Sequence, residues 1–228
     1  MRNEIMRVEL VSYSQPDPKF IDDTNTASVQ ELIAYCARVS NPSNQMNHET
    51  SEKLLNYLLE HKHFSPFEMV NVTLSIETTR DIARQILRHR SFSFQEYSQR
   101  YADPTQDLSF EIREARLQDT KNRQNSISND NPALEAFWAQ QQQNVIDTAK
   151  EAYQWAIDNG IAKEQARAVL PEGNTKTKMY MNGTLRSWIH YIQLRASNGT
   201  QLEHIEIAKS CAEVISTIFP MSKEMIND

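Results

Sequence analysis

The sequence predicts an α+β fold, a single domain over residues 1–228 in which helices pack a mixed or antiparallel sheet, and not a Rossmann fold. Three observations carry that prediction. Strand-like and helix-like segments both occur, but without regular β-α-β alternation. Alternation over residues 69–78 is clean, with Val70, Val72, Leu74 and Ile76 facing one way and Asn71, Thr73, Ser75 and Glu77 the other, as in a half-buried strand. The chain has only four glycines, Gly160, Gly173, Gly183 and Gly199, so neither a G-x-G-x-x-G turn nor a Walker A loop can form, and any nucleotide must be held by side chains.

Taken in order, residues 5–12, from Ile5 to Ser12, read as a first strand. Residues 27–40 have helical spacing at Leu32, Ile33 and Cys36 and stop at Asn41-Pro42-Ser43. A second amphipathic helix spans 50–61, its stripe formed by Leu54, Leu55, Leu58 and Leu59, and His63-Phe64-Ser65-Pro66 breaks the chain. After the alternating strand, Thr78 and Asp81 have the spacing of a capping pair for a helix with Ile82, Ala83, Ile86 and Leu87, which runs into Arg88-His89-Arg90. Residues 104–132 are polar and weakly periodic, predicting a long mobile loop with one short helix. Helices follow over 133–159 and 163–170, then a strand over 175–181. In the helix over 185–196, Leu185, Trp188, Ile189 and Ile192 form the apolar stripe, while Arg186, His190 and Gln193 share another face. The last helix opens on Thr200 and Glu203 as a capping box and buries Leu202, Ile205, Cys211, Ile215 and Ile218.

The composition, 39% hydrophobic and 24% charged, is that of a globular protein. No apolar run reaches the roughly 20 residues of a membrane span, and the N-terminal stretch lacks a secretory h-region, so a cytoplasmic protein is expected. Cys36 and Cys211 are too few for a disulfide framework and read as reduced core residues. The net charge of −6 argues against sequence-independent nucleic-acid binding, which draws on cations neutralising phosphates. Positive charge is instead local: Arg80, Arg84, Arg88, Arg90 and Arg100 stand against Asp81 and Glu96, which suits a small anionic ligand.

Two features stand out chemically. Arg195 ends the apolar stripe of its helix, seven residues after Trp188, and needs either an intramolecular carboxylate, an escape to solvent, or a ligand. Arg88-His89-Arg90 gains at most about 0.3 to 1 kcal/mol per cation from the helix dipole. The segment that follows, residues 91–101, mixes hydroxyls, an acid and an arginine with Phe92, Phe94, Tyr97 and Tyr101, a set that can cradle a phosphate and flank a planar ring. Metal binding is not expected: His61 and His63 are spaced i, i+2, which does not put them on one helix face, and His48 and His204 read as surface residues.

Arg88-His89-Arg90, seven residues, Ser98, one residue, Arg100 resembles the R-H-R-x7-S-x-R signature of flavin-dependent thymidylate synthases. The segment His63-Phe64-Ser65-Pro66-Phe67-Glu68 is similar to that family's H-x-[ST]-P-F-E, and Ala83-Arg84-Gln85 to its A-R-Q. Ala166-Arg167 through Leu170-Pro171 resembles A-R-x-x-L-P, and Leu194-Arg195-Ala196 resembles L-R-A, so the likeness spans about residues 30–215.

That resemblance implies reductive methylation of dUMP to dTMP, with 5,10-methylenetetrahydrofolate as carbon donor and NADPH as reductant through FAD. It implies that Ser65, Arg88, His89, Arg90, Glu96, Thr184, Arg186 and His190 serve FAD, in a site assembled from several subunits of a homotetramer. Gln85, Arg88, Glu96, Tyr97, Ser98, Gln99, Arg100, Arg167 and Arg195 would bind dUMP, with Ser98 and Arg100 on the phosphate. Arg195, the one catalytic residue implied, would lie on the uracil ring and favour its N3-ionised form. Thr184, Gln95 and Gly199 depart from the family pattern, the last where many members carry a histidine, and His190 stands where some members have Asn. Two other readings stay open: an arginine-rich nucleic-acid binder, and a family member that keeps flavin without methyl transfer.

Overall fold

The computed structural model describes residues 7–226. Strand β1 is Arg7–Tyr13; Ile5, the predicted start of that strand, lies outside the described residues. Helices α1 (Pro18–Thr24), α2 (Val29–Ala37) and α3 (Ser51–Glu60) follow, then strand β2 (Asn71–Thr79) and helix α4 (Arg80–Ile86). Next come β3 (Ser93–Glu96), α5 (Pro104–Asp107), the two-residue strands β4 (Leu117–Gln118) and β5 (Ser126–Ile127), and α6 (Pro132–Asp158). The chain closes with α7 (Lys163–Ala166), β6 (Lys176–Thr184), α8 (Leu185–Arg195) and α9 (Leu202–Ile215).

The main sheet has the order β1-β2-β6-β3 and is antiparallel throughout, as an α+β fold without β-α-β units requires. Its two central strands, β2 and β6, pair over nine residues from Asn71↔Thr184 to Thr79↔Lys176. Val70, Val72, Leu74 and Ile76 share one face with Met179 and Met181, and all six are fully buried under α2, α3, α8 and α9. Burying an Ile or Leu side chain contributes roughly 1.5 to 3 kcal/mol, so this face anchors the domain. Trp188 of α8 donates its indole Nε1 to the Val72 carbonyl at 3.0 Å, which satisfies its one polar atom inside the core.

Several expectations are corrected. Strand β2 is more than half-buried: Ser75 and Thr79 on its supposedly wet side are covered too, because β2 is a central strand with segments packed over both faces. The cap of α4 is Thr79 rather than Thr78, with the Thr79 hydroxyl donating to Asp81 Oδ1 at 2.6 Å. The predicted helix over 163–170 splits into α7 and a 3-10 turn at Arg167–Val169. Residues 93–96 form a strand that their mixed composition does not announce.

The last helix is displaced in phase. Gln201 is its N-cap, and Glu203 makes no capping box because its carboxylate takes Arg116 at 2.5 Å. Leu202 is 38% exposed, whereas His204 is fully buried. His48 is not a free surface residue either, since its Nε2 bonds the Thr24 carbonyl at 2.9 Å, and Cys36 is half-buried while Cys211 is fully buried.

The polar stretch 104–132 contains the expected short helix, α5, together with the small β4–β5 ladder. It is tied to the body at Glu111, whose N–H donates to the Asn174 carbonyl at 2.8 Å, and at Arg113, which contacts Asp81 at 2.7 Å. Helix α6 starts where Asn131 accepts from the N–H groups of Ala133 and Leu134, with Pro132 in its first turn. It buries Ile146, Ala149, Tyr153 and Ala156 but leaves Phe137 and Trp155 more than 60% exposed.

Candidate active site

Helix α4 ends at Ile86, and the chain then turns sharply: the His89 N–H donates to the Ile86 carbonyl at 3.0 Å and the Phe92 N–H to the His89 carbonyl at 3.3 Å. This turn displays Arg88 and Arg90 to solvent and sends His89 inward. Its position is set from below by Phe92, a buried ring that packs edge-on against Trp188 at 4.8 Å between centroids. Gly183 of β6 makes room for that ring, since a Cβ there would stand 2.6 Å from Phe92 Cε1.

Three of the predicted residues come together where the turn meets the end of α8. Arg195 Nε donates to His89 Nε2 at 2.9 Å. That bond needs a lone pair on Nε2, so His89 is neutral with its proton on Nδ1. Burial, followed by the neighbouring Arg195 charge, pushes its pKa down to about 4, in agreement with the bond. Arg195 therefore has an imidazole where an intramolecular carboxylate was one possibility. Among the described residues, Arg88, Arg90, Arg167 and Arg195 have no carboxylate within 4.0 Å.

Gln85 completes this group. Its Nε2 donates to Gln201 Oε1 at 2.8 Å, and its Oε1 accepts from His204 Nδ1 at 3.3 Å. His204 Nε2 then accepts from the Tyr191 hydroxyl at 3.1 Å, and the Tyr191 ring meets His89 edge-on at 4.9 Å. Burial, then the charges of Arg195 and His89, hold the His204 imidazole down at about 3. Burial also raises the Tyr191 phenol well above its usual range.

A second group lies along β3 and the turn after it. Glu96 accepts from Arg80 Nη1 at 3.3 Å and from the Thr177 hydroxyl at 3.1 Å, so its carboxylate is already engaged. Burial lowers the Arg80 pKa and the Glu96 charge opposes that effect, with Arg84 and Arg167 lowering it further. The Tyr97 hydroxyl donates to Asp107 at 2.6 Å, and burial together with that carboxylate raises its pKa. Gln99 is buried, and its Nε2 has no partner among the described residues. Ser98 and Arg100 line a cleft of about 430 Å³ with Tyr101, Ala162, Lys163 and Glu164. Arg100 is paired there with Glu164 at 3.3 Å, and both side chains are at least half exposed.

A third group gathers at the start of α8. Thr184 caps the helix, its hydroxyl accepting from the Ser187 N–H at 3.3 Å. Arg186 is paired with Glu68, and His190 packs edge-on against Phe64 at 4.6 Å, which places both beside exposed Ser65. Ser187 Oγ donates to the Ser91 carbonyl at 3.4 Å, so this end of α8 is joined to the signature turn. No hydrogen bond among the described residues directly joins Ser98 or Arg100 to Arg195. The departures have local reasons in part: Gly199 sits at φ +91°, a conformation that favours glycine over a histidine.

Sequence reasoning missed His204, Tyr191 and Gln201. A signal for His204 was present, because stepping back from Ile215 and Cys211 by helical spacing reaches Ala208 and then His204 on the same buried stripe.

Comparison with known proteins bears on the same segments. A family model described as thymidylate synthase complementing protein matches residues 19–221. A protein of Paramecium bursaria Chlorella virus 1, named a probable flavin-dependent thymidylate synthase, is 48% identical over 215 residues, covering 94% of this chain and 96% of its own. The flavin-dependent thymidylate synthase of Synechocystis is 46% identical with the same coverage. In fold, the chain is similar to the UMP/dUMP methylase PolB of Streptomyces cacaoi bound with 5-Br dUMP, at a TM-score of 0.77 and 25% identity, covering 97% of this chain and 94% of that one. With the signature turn, the α4 glutamine and the α8 arginine held in one network, and the likeness running through nearly all of its length, the chain belongs to the flavin-dependent thymidylate synthase family of enzymes.

Proposed function

We propose that this protein converts dUMP to dTMP, taking the carbon from 5,10-methylenetetrahydrofolate and the reducing equivalents from NADPH by way of FAD. The observation that carries this reading is Arg195, a guanidinium with no carboxylate within 4.0 Å among the described residues, held by neutral His89 in the network that includes the Gln85 amide. A cation so placed suits an electron-rich pyrimidine and would favour the ring ionised at N3, which makes C5 more nucleophilic.

Ser98 and Arg100 are assigned to the phosphate. Their cleft is open, and the exposed Arg100–Glu164 pair is worth little on its own, so exchanging Glu164 for a phosphate costs little. Arg167, Tyr97 and Gln99 are assigned to the same nucleotide, the unpartnered Gln99 amide being a donor in want of an acceptor. Arg88, His89, Arg90, Ser65, Thr184, Arg186 and His190 are assigned to FAD, with Glu96 a shared neighbour. The exposed guanidinium groups of Arg88 and Arg90 and the exposed Ser65 hydroxyl are the kind of donor set that a pyrophosphate requires. Bound FAD, once reduced, would supply the hydride that turns the transferred methylene into a methyl group.

The chain's own thiols favour this route over thiolate attack on the pyrimidine. Burial raises the pKa of Cys36 and, further, that of Cys211, so neither is ionised at neutral pH. The exposed Phe137, Trp138 and Trp155 of α6 support a homotetramer with shared sites. No helix among the described residues is long and apolar enough to cross a membrane, and its nucleotide substrates suit a cytoplasmic enzyme. The 104–132 segment is the part assigned to move as ligands enter.

The test is an anaerobic absorption experiment on purified protein supplied with FAD, reduced by NADPH, then given dUMP and methylenetetrahydrofolate with dTMP assayed. Bleaching, reoxidation and dTMP together support the reading, and failure to bind FAD overturns it. Arg195→Ala should bind FAD yet lose dTMP formation.

A further inference from the structure

We propose that His204, on α9, is a positioning residue for the pyrimidine: it orients the Gln85 amide and, through Tyr191, braces the His89–Arg195 pair. This rests on the functional reading above and extends it to a residue that is fully buried and cannot itself touch a ligand. The orientation follows from counting donors and acceptors. The buried Tyr191 hydroxyl has no other hydrogen-bond partner among the described residues, so it donates to His204 Nε2, which leaves the imidazole proton on Nδ1 and makes Nδ1 a donor. A donor at that point can bond only the oxygen end of the Gln85 amide, so Oε1 faces His204 and the NH2 end faces outward to Gln201. Reversing the amide would set two donors against each other at 3.3 Å and the amide oxygen against the Gln201 oxygen at 2.8 Å.

Gln201 reads as a stand-in rather than a rigid partner. It is half-buried at the N-cap of α9 and uses its side-chain oxygen on Gln85 instead of capping the helix. A pyrimidine carbonyl entering beside Arg195 would find the same NH2 group already pointed toward it. Tyr191 links the two halves, since one face of its surroundings is His204 at 5.7 Å between ring centroids and another is His89 at 4.9 Å. His204 is thus tied by a hydrogen bond to one residue assigned to dUMP, and by packing through Tyr191 to the partner of another.

The experiment compares His204→Leu, His204→Asn and Tyr191→Phe with the parent enzyme, measuring FAD content, Tm, kcat and the dUMP KM. His204→Leu fills the space but leaves Gln85 Oε1 and the Tyr191 hydroxyl unpaired, so the dUMP KM should rise about five- to tenfold with kcat lowered less than about threefold. His204→Asn keeps a donor at the Nδ1 position and should bring KM back to within about twofold of the parent. Tyr191→Phe, which keeps the ring packing and serves if His204→Leu fails to fold, should raise KM about two- to threefold. An unchanged KM in the folded variants overturns the proposal, as do equal losses of KM, kcat and Tm in the Leu and Asn variants. A parent enzyme that binds no dUMP overturns the functional reading instead.

Discussion

Replacing Gly183 by alanine perturbs the site without touching any residue assigned to a ligand. Gly183 lies in β6 opposite Val72, and nothing in its backbone conformation forbids a side chain. The obstacle is Phe92: an added Cβ would lie 2.6 Å from its Cε1, 3.2 Å from its Cγ and closer still to its Cδ1. The ring cannot simply swing away, because it is 8% exposed and is held by Trp188 at 4.8 Å and Tyr191 at 6.0 Å. Overpacking of this kind costs about 1 to 3 kcal/mol, offset in part by the roughly 0.4 to 1 kcal/mol that Gly→Ala gains from a less free unfolded chain. A net loss of about 1 to 2 kcal/mol in a chain of this size lowers Tm by roughly 2 to 8 °C. The assay is thermal and urea unfolding of the parent, Gly183→Ala, Phe92→Leu and the double variant. If the contact is the cause, Phe92→Leu should absorb most of the alanine's cost, giving a coupling energy of about 1 kcal/mol or more. Because Phe92 supports the Arg88-His89-Arg90 turn, FAD affinity should fall with Gly183→Ala alone. Additive single effects, or a Tm unchanged by the alanine, would refute the reasoning.

Three further outcomes follow from the charges. Glu111 is buried with Oε2 unpartnered, and burial pushes its pKa from 4.5 up to about 7 against the pull of Arg113. The folded state therefore holds the extra proton between those values and loses stability as pH rises through them, so Glu111→Gln should gain on the order of 3 kcal/mol at pH 8 and nothing at pH 4. Glu203 behaves oppositely: burial alone would raise its carboxyl, but the hydrogen bond and charge of Arg116 bring it below its usual value. Its stabilisation is present above the unfolded pKa and lost in acid, and Arg116→Met should cost about 3 to 5 kcal/mol at neutral pH, largely recovered by adding Glu203→Leu. His89 and His204, lowered from 6.5 to about 4 and about 3, stay neutral while the unfolded chain takes up protons, so stability should fall as pH drops below 6.5. In Glu111→Gln, where the opposing carboxyl is gone, a urea midpoint that stays level from pH 7 to pH 5 would count against two buried neutral imidazoles.

The sequence by itself determined several of the elements and named the candidates for the site. Alternation over 69–78, the helical stripe of Leu185, Trp188, Ile189 and Ile192, and the helix predicted over 133–159 are local patterns whose cause lies within a few residues, and they reappear as β2, α8 and α6. The spacing of Arg88, His89, Arg90, Ser98 and Arg100 is likewise readable along one turn and one short strand. What only the tertiary structure decided was the partners. Glu203 left its helix cap for Arg116, 87 residues away, and the buried side of α9 turned out to include His204 and not Leu202. Arg195 met His89 across 106 residues, and Gln85 met His204 across 119. Periodicity reports which face of a helix is apolar, but a buried polar group is placed by whichever donor or acceptor the fold brings to it, and that partner leaves no trace in its neighbours along the chain.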